Sequence, residues 1–165
     1  MSELRIVLVA TVWPVALAAV AQPFAVGHIS AVPFDALRAR DVPVELYYPA
    51  DAAGESVPAS SGSFPVLVMG HGFVMDVAAY GNIVEAFVPH GYIVALPSTE
   101  GGFLPDHALF AGDLAFLAEH VLDLGSDGAS PLFGAVAPQS AIMGHSMGGG
   151  ASMLAAASAS AIAAV

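Results

Sequence analysis

The sequence predicts an α/β fold, a mostly parallel sheet with helices on both of its faces. Short apolar runs typical of buried strands lie at 64–69, 92–96 and 140–143. A segment with helical character follows each of these runs, so strand and helix alternate along the chain. Alternation of this kind implies parallel strands joined by helical crossovers.

One further strand precedes this alternation. Residues 42–48 alternate in polarity and are rich in β-branched and aromatic types, as strands are. Residues 49–63 have the Gly, Ser, Ala and Pro content of a loop. Because no helix follows residue 48, we expect this strand to be an antiparallel neighbour on one side of the sheet.

Three helices are expected between and after the buried strands. Asp76 can cap a helix over roughly 77–88. A second helix over 106–124 carries an apolar side chain every three or four positions. The third helix begins at Gly148 in an Ala-rich segment, and we expect it to be the last element of the chain.

Composition excludes several classes of function. The chain has 165 residues, of which 57% are hydrophobic and 10% charged, and this excludes a disordered protein. Its net charge of −11 repels phosphate backbones, so we expect no nucleic-acid partner. The absence of cysteine excludes thiolate catalysis and zinc–sulfur sites. No His, Asp or Glu pair has metal-ligand spacing, so we expect neither a metal nor another cofactor.

The N-terminal segment predicts export. Residues 6–21 are apolar, follow Arg5 and end in a small-x-small pattern, which predicts a signal peptide over 1–21 and a secreted or periplasmic protein. The apolar run is short for a membrane span and contains Pro14, so we expect no stable span after cleavage. The alternatives are a buried first helix and an uncleaved anchor.

A G-x-S-x-G motif follows the third buried strand and opens the third helix. In this context the motif predicts a sharp strand-to-helix turn that exposes Ser146 as a nucleophile. Gly144 and Gly148 would relieve the crowding of such a turn. The helix start directs backbone N–H groups, including that of Met147, toward a developing oxyanion. His145 adjoins the nucleophile, and we expect a structural role for it under the turn.

A second glycine-rich turn follows the first buried strand. It comprises Gly70, His71, Gly72 and Phe73. An oxyanion hole needs a second N–H from a neighbouring strand end, so we predict the amides of Phe73 and Met147 as the two donors. The Phe73 ring would line an acyl pocket, with a plain core aromatic as the alternative. We expect His71 to be structural and to hydrogen-bond a nearby loop.

The remaining histidines are expected on the surface. They are His28, His90, His107 and His120. Among them, His107 is a candidate pocket residue because it lies at the carboxyl end of the sheet.

The two glycine-rich motifs resemble those of the α/β-hydrolase superfamily. They are similar to those of chlorophyllases, dienelactone hydrolase-like proteins, platelet-activating-factor acetylhydrolases and polyester cutinases. Similar stretches at 41–50 and 91–117 extend the resemblance over about 26–160. It implies a serine carboxylic-ester hydrolase that acts on a small-molecule or polymeric ester. Two alternatives stay open: another acyl-transfer serine hydrolase (peptidase, thioesterase or acyltransferase), or a non-catalytic truncated remnant.

The resemblance also implies a catalytic acid and a histidine after the nucleophile, in that order. Only 15 residues follow Gly150, and none of them is Asp, Glu or His. We therefore expect the acid and base of the triad to lie outside this chain. Residues 22–165 would form the N-terminal part of a hydrolase domain, lacking the C-terminal strands and inactive or weakly active alone. The exposed sheet edge would favour a partner chain or self-association.

Overall fold

The computed structural model describes residues 23–157, 159 and 162–165. The predicted signal over 1–21 lies outside the described residues. The strands are β1 (Ala25–Ala31), β2 (Phe34–Asp35), β3 (Arg40–Asp41), β4 (Val44–Ala50), β5 (Gly54–Glu55), β6 (Phe64–Gly70), β7 (Ile93–Pro97), β8 (Val136–Gly144) and β9 (Ile162–Ala164). The α-helices are α1 (Gly81–Phe87), α2 (His107–Leu124) and α3 (Met147–Ala156). None of these helices is both long enough and apolar enough to cross a membrane.

Seven strands form one sheet in the order β5-β1-β4-β7-β6-β8-β9, and β2 pairs with β3 beside it. The strands β7, β6, β8 and β9 are parallel, and α1, α2 and α3 connect them in chain order. The strand β4 pairs antiparallel with β7, as the sequence predicted. The carboxyl ends of three adjacent strands, β7, β6 and β8, therefore meet at one edge of the sheet, where α/β proteins form their sites.

Helices cover both faces of the sheet. Consecutive residues of β6 alternate between the two faces and pack against different helices. Val66 and Val68 pack with α2 and α3, while Leu67 and Met69 pack with α1. This follows from the two-residue period of a strand buried on both faces. The helix α2 contributes Leu114, which is fully buried, and its side chain alone stabilises the fold by about 1.5–3 kcal/mol.

The helix expected over 77–88 is shorter and irregular. Asp76 does cap it, since its carboxylate accepts a hydrogen bond from the Ala78 amide. A 3₁₀ turn over Val77–Tyr80 comes first, then α1, then a second 3₁₀ turn over Val88–His90. Glycine at the start of α1 and Pro89 after it are poor helix formers, which accounts for the interruptions.

Five strands were not predicted from the sequence, namely β1, β2, β3, β5 and β9, and the two longest of them, β1 and β9, change the extent of the sheet. The strand β1 pairs antiparallel with β4 and extends the sheet beyond the strand predicted at 42–48. After α3, β9 pairs in parallel with Ser140 and Ala141 of β8, so the expectation that α3 is the last element is wrong. Without β9, the outer edge of β8 would leave backbone N–H and C=O groups unpaired. An Ala-rich segment can form hydrogen bonds with these groups because the bonds need only its backbone. Self-association through the remaining edge stays a prediction.

Candidate active site

Ser146 lies at the turn between β8 and α3 in an unusual backbone conformation. Its φ is 53° and its ψ is −111°, a region that non-glycine residues rarely adopt and that carries strain. The side chain is exposed, and it makes no hydrogen bond with any residue that the structure describes. The geometry therefore presents the hydroxyl to solvent beside the first turn of α3.

Two glycines make this turn sterically feasible. A Cβ at Gly144 would overlap the backbone of Gly148, and a Cβ at Gly148 would overlap Gly70 and lie 2.7 Å from the His71 carbonyl oxygen. Gly70 and Gly144 are paired across β6 and β8, and the His145 amide donates to the Gly70 carbonyl at 3.0 Å. The start of α3 thus packs directly on the end of β6 with no space for a side chain between them.

His71 is buried in the turn after β6 and links that turn to the loop after β7. Its Nε2 lies 2.7 Å from the Thr99 carbonyl oxygen, and its Nδ1 lies 2.8 Å from the Gly72 carbonyl oxygen. The ring also packs on Phe110 of α2, with the centroids 4.7 Å apart. The side chain is 1% exposed, so its contacts hold the turn from inside the protein.

The Gly72–Phe73 peptide has a fixed orientation. The Gly72 carbonyl accepts from the Met75 amide at 3.1 Å and also faces the His71 ring. In a trans peptide the N–H points opposite to the carbonyl, so the Phe73 amide points away from both groups. Within the described part of the chain, neither the Phe73 amide nor the Met147 amide finds an acceptor. Both N–H groups are free to bind a ligand.

The Phe73 side chain is not a core aromatic, because 52% of it is exposed. A cavity of about 260 Å³ lies beside it, between the turn after β6 and the loop after β7. Its lining residues are Val74, Met75, Asp76, Val77, Ser98 and Gly101. The site therefore combines a solvent-facing aromatic ring with a small mixed pocket.

An ion-pair network holds the loop after β7. Arg40 binds the buried Asp113 of α2 at 2.9 Å and Glu100 of the loop at 2.6 Å. The hydrogen bonds that Arg40 donates to the Asp113 carboxylate raise the pKa of Arg40. Glu100 in turn accepts from the Asp106 amide at 2.7 Å. Two backbone N–H groups at the start of α2 donate to the Asp106 carboxylate and lower its pKa.

The sequence predicted that His145 lies under the turn. In the structure its side chain is instead exposed beside the turn. Its Nδ1 lies 3.1 Å from the hydroxyl of Tyr80, which also accepts from the Gly72 amide at 2.7 Å. Sequence reasoning missed Tyr80, because nothing in the local pattern around it signals a contact 65 residues away. His107 is exposed at the first position of α2. No described histidine hydrogen-bonds to Ser146.

Among the described residues, no group of three or more His, Asp or Glu side chains is arranged to hold a metal ion. A protein-family model described as Chlorophyllase matches residues 49–163 of the chain. The chain belongs to the chlorophyllase family. That family is part of the α/β-hydrolase superfamily, so the resemblance drawn from the sequence and the α/β fold class are confirmed. No curated protein sequence matches the chain.

Membership of the chlorophyllase family makes the chain a hydrolase of the α/β-hydrolase type. The matched segment contains both the glycine-rich turn after β6 and the turn at Ser146. Both turns therefore lie within the matched segment, whereas Arg40 precedes it.

Proposed function

We propose that the chain is a serine carboxylic-ester hydrolase in which Ser146 is the nucleophile. The observation that carries the proposal is the backbone of Ser146, held at a positive φ between two glycines that cannot be replaced without overlap. Strain of this kind persists where the surrounding structure enforces it, and it concentrates at functional sites. A binding module has no need of a strained serine at the start of a helix.

In the proposed reaction the Ser146 oxygen attacks the ester carbonyl carbon while a histidine base accepts the hydroxyl proton. The amides of Phe73 and Met147 donate to the oxyanion, which forms as the carbonyl π bond opens. The alcohol leaves with the proton from the base, and water then releases the acid from the acyl-enzyme. No step requires a metal or an organic cofactor.

The free amides support this assignment of the oxyanion hole. Each lacks an intramolecular acceptor within the described residues, and each directly adjoins a fixed element: the His71-bound turn for Phe73, and the start of α3 for Met147. Preorganised donors of this type contribute about 10²–10³ in kcat each. The exposed Phe73 ring is suitably placed to contact the apolar part of an ester.

The base and the acid stay unassigned in this proposal. Hydrolases of this type place them after the nucleophile, no Asp, Glu or His follows Ser146 in this sequence, and no described histidine hydrogen-bonds to Ser146. Removal of the base from a Ser-His-Asp triad lowers kcat by about 10⁶. With no assigned base, this chain should hydrolyse esters weakly, at the rate of about 10³–10⁴ over water that the oxyanion hole and substrate binding supply.

The test is covalent labelling with a fluorophosphonate, followed by peptide mass spectrometry to locate the adduct. Because the two amides act even without an assigned base, we expect slow labelling at Ser146. The adduct should disappear in Ser146→Ala and persist in Ser98→Ala, which removes an exposed serine of the neighbouring cavity. No adduct at Ser146 in a sample shown to be folded by circular dichroism would contradict an activated nucleophile in this chain. Turnover of p-nitrophenyl esters, set against thioesters and peptides, then decides the acyl substrate.

A further inference from the structure

The Tyr80 hydroxyl occupies a position that the proposed reaction does not use. Tyr80 ends the 3₁₀ turn before α1, and its ring is 5% exposed within an apolar cluster that includes Leu67 and Val84. The hydroxyl accepts from the Gly72 amide at 2.7 Å and lies 3.1 Å from His145 Nδ1. A hydroxyl carries one proton, which it can donate to His145 Nδ1 or to the Met75 sulfur at 3.3 Å.

Both main partners of this hydroxyl directly precede a group of the proposed mechanism. Gly72 comes before Phe73, whose amide is one proposed oxyanion donor, and His145 comes before Ser146, the proposed nucleophile. A single oxygen atom thus touches the two segments whose relative position sets the distance between the nucleophile and the donor.

The side chains of His145 and Met75 lie close to the Gly72 backbone. A Cβ at Gly72 would lie 2.8 Å from His145 Nδ1 and 2.9 Å from the Met75 sulfur, so the turn has no space for a side chain at this position. The segments also have a backbone link, from the His145 amide to the Gly70 carbonyl. That link fixes the strand ends, whereas the hydroxyl reaches two residues further, to the turn itself.

We propose that Tyr80 is a positioning residue that holds the Phe73 amide in place relative to Ser146. This inference rests on the proposed function, since it assigns Tyr80 to the oxyanion hole of that reaction. Tyr80 touches no reacting atom; it acts through Gly72 on one side and through His145 on the other. A structural role alone would stabilise the fold without affecting the geometry of the site.

The variant Tyr80→Phe removes only the oxygen. Its matched control is Tyr48→Phe, because Tyr48 is also buried and its hydroxyl also hydrogen-bonds to backbone, donating to the Val57 carbonyl at 2.7 Å, away from Ser146. Two readouts apply to both variants: hydrogen exchange of single amides by NMR, and the second-order rate of fluorophosphonate labelling at Ser146.

In Tyr80→Phe we expect exchange at the Gly72 amide to rise at least about 10-fold and labelling to fall about 10–100-fold, because a donor displaced by about 1 Å costs up to 10² in rate. Tyr48→Phe should leave both values as in the unmodified protein. Unchanged exchange at Gly72 would overturn the contact, and faster exchange with unchanged labelling would reduce Tyr80 to a structural role. An equal loss of labelling in Tyr48→Phe would also refute positioning. If the unmodified protein is not labelled, the proposed function fails, and the exchange measurement still decides whether Tyr80 holds the turn.

Discussion

The contact between α3 and β6 is most directly tested by adding one methyl group, in Gly148→Ala. The new Cβ would lie 2.7 Å from the His71 carbonyl oxygen and closer still to the carbonyl group of Gly70. Ordinary van der Waals contact begins near 3.4 Å, so the His71 contact alone requires a separation of 0.7 Å, and the closer Gly70 carbonyl group requires more. The obstacles are backbone atoms of a central strand, which cannot rotate away as a flexible side chain can.

The expected cost follows from these distances. Overpacking typically costs 1–3 kcal/mol, and a clash with backbone on two residues places Gly148→Ala at about 3 kcal/mol. Alanine regains about 1 kcal/mol of helix propensity, which leaves a net destabilisation of about 2 kcal/mol. The control is Gly150→Ala, two residues later in α3, where an added Cβ meets no atom of the described residues within 4 Å and only the gain of about 1 kcal/mol applies.

The assay is thermal unfolding of both variants under identical conditions. The difference of about 3 kcal/mol between them corresponds to roughly 6–12 °C in Tm for a chain of this size. Labelling of Ser146 should also fall in Gly148→Ala alone, because the separation displaces the turn after β6. Equal Tm values for the two alanine variants would refute the close approach of α3 to β6, and with it the steric reason for glycine at this position.

Three further predictions test single features of the structure. Ser146→Gly should be more stable than Ser146→Ala by about 1 kcal/mol, since glycine relieves the positive φ; equal unfolding midpoints in urea would argue against strain. Thr99→Val should stabilise the fold by about 1 kcal/mol, because the Thr99 hydroxyl is buried without a partner among the described residues and the variant keeps the shape; a lower Tm would show that the hydroxyl is bonded. Burial lowers the pKa of His120, so the unfolded chain binds the proton more tightly; stability is complete above about pH 6.5 and falls as the pH drops below it. His120→Gln should therefore lose less stability than the unmodified protein between about pH 7 and 5. If the free energy of unfolding changes equally with pH in both proteins, His120 makes no such contribution.

Short-range signals in the sequence predicted the centre of the fold well. The buried strands at 64–69 and 92–96 and the helix over 106–124 agree with β6, β7 and α2 to within a residue. The turn at Ser146 was predictable because its strand, glycines and helix are consecutive in the chain. Such elements can be predicted from a short stretch of sequence, because their hydrophobic period and their turn residues lie within it.

The elements that the sequence did not predict depend on distant partners. The strand β1 contains Gly27, a weak strand former, whose missing side chain leaves space for the buried ring of Tyr48 on β4. The strand β9 forms from an Ala-rich segment because β8 offers an open edge. Arg40 and Asp113 are 73 residues apart, so no local pattern could show that they bind each other.

Contacts of this distant kind join three segments at one edge of the sheet: the turn after β6, the loop after β7 and the end of β8. The loop after β7 holds His71 through the Thr99 carbonyl, and His71 orients the Gly72–Phe73 peptide. The turn after β6 is bonded in turn to His145 at the end of β8. At the far side, Arg40 ties the same loop to α2.

The position of the proposed oxyanion donor is therefore set by a chain of hydrogen bonds that runs across three parallel strands and ends in a buried ion pair. The glycine motifs therefore pointed to the candidate residues but do not hold the site by themselves. They permit the close approach of β6 and α3, but they do not determine which way the Phe73 amide points. That direction depends on His71 inside the turn, and the placement of the turn depends on Tyr80 beside it. The sequence predicted a structural His71 bonded to a nearby loop, whereas the contact of Tyr80 with His145 spans 65 residues and no local pattern shows it.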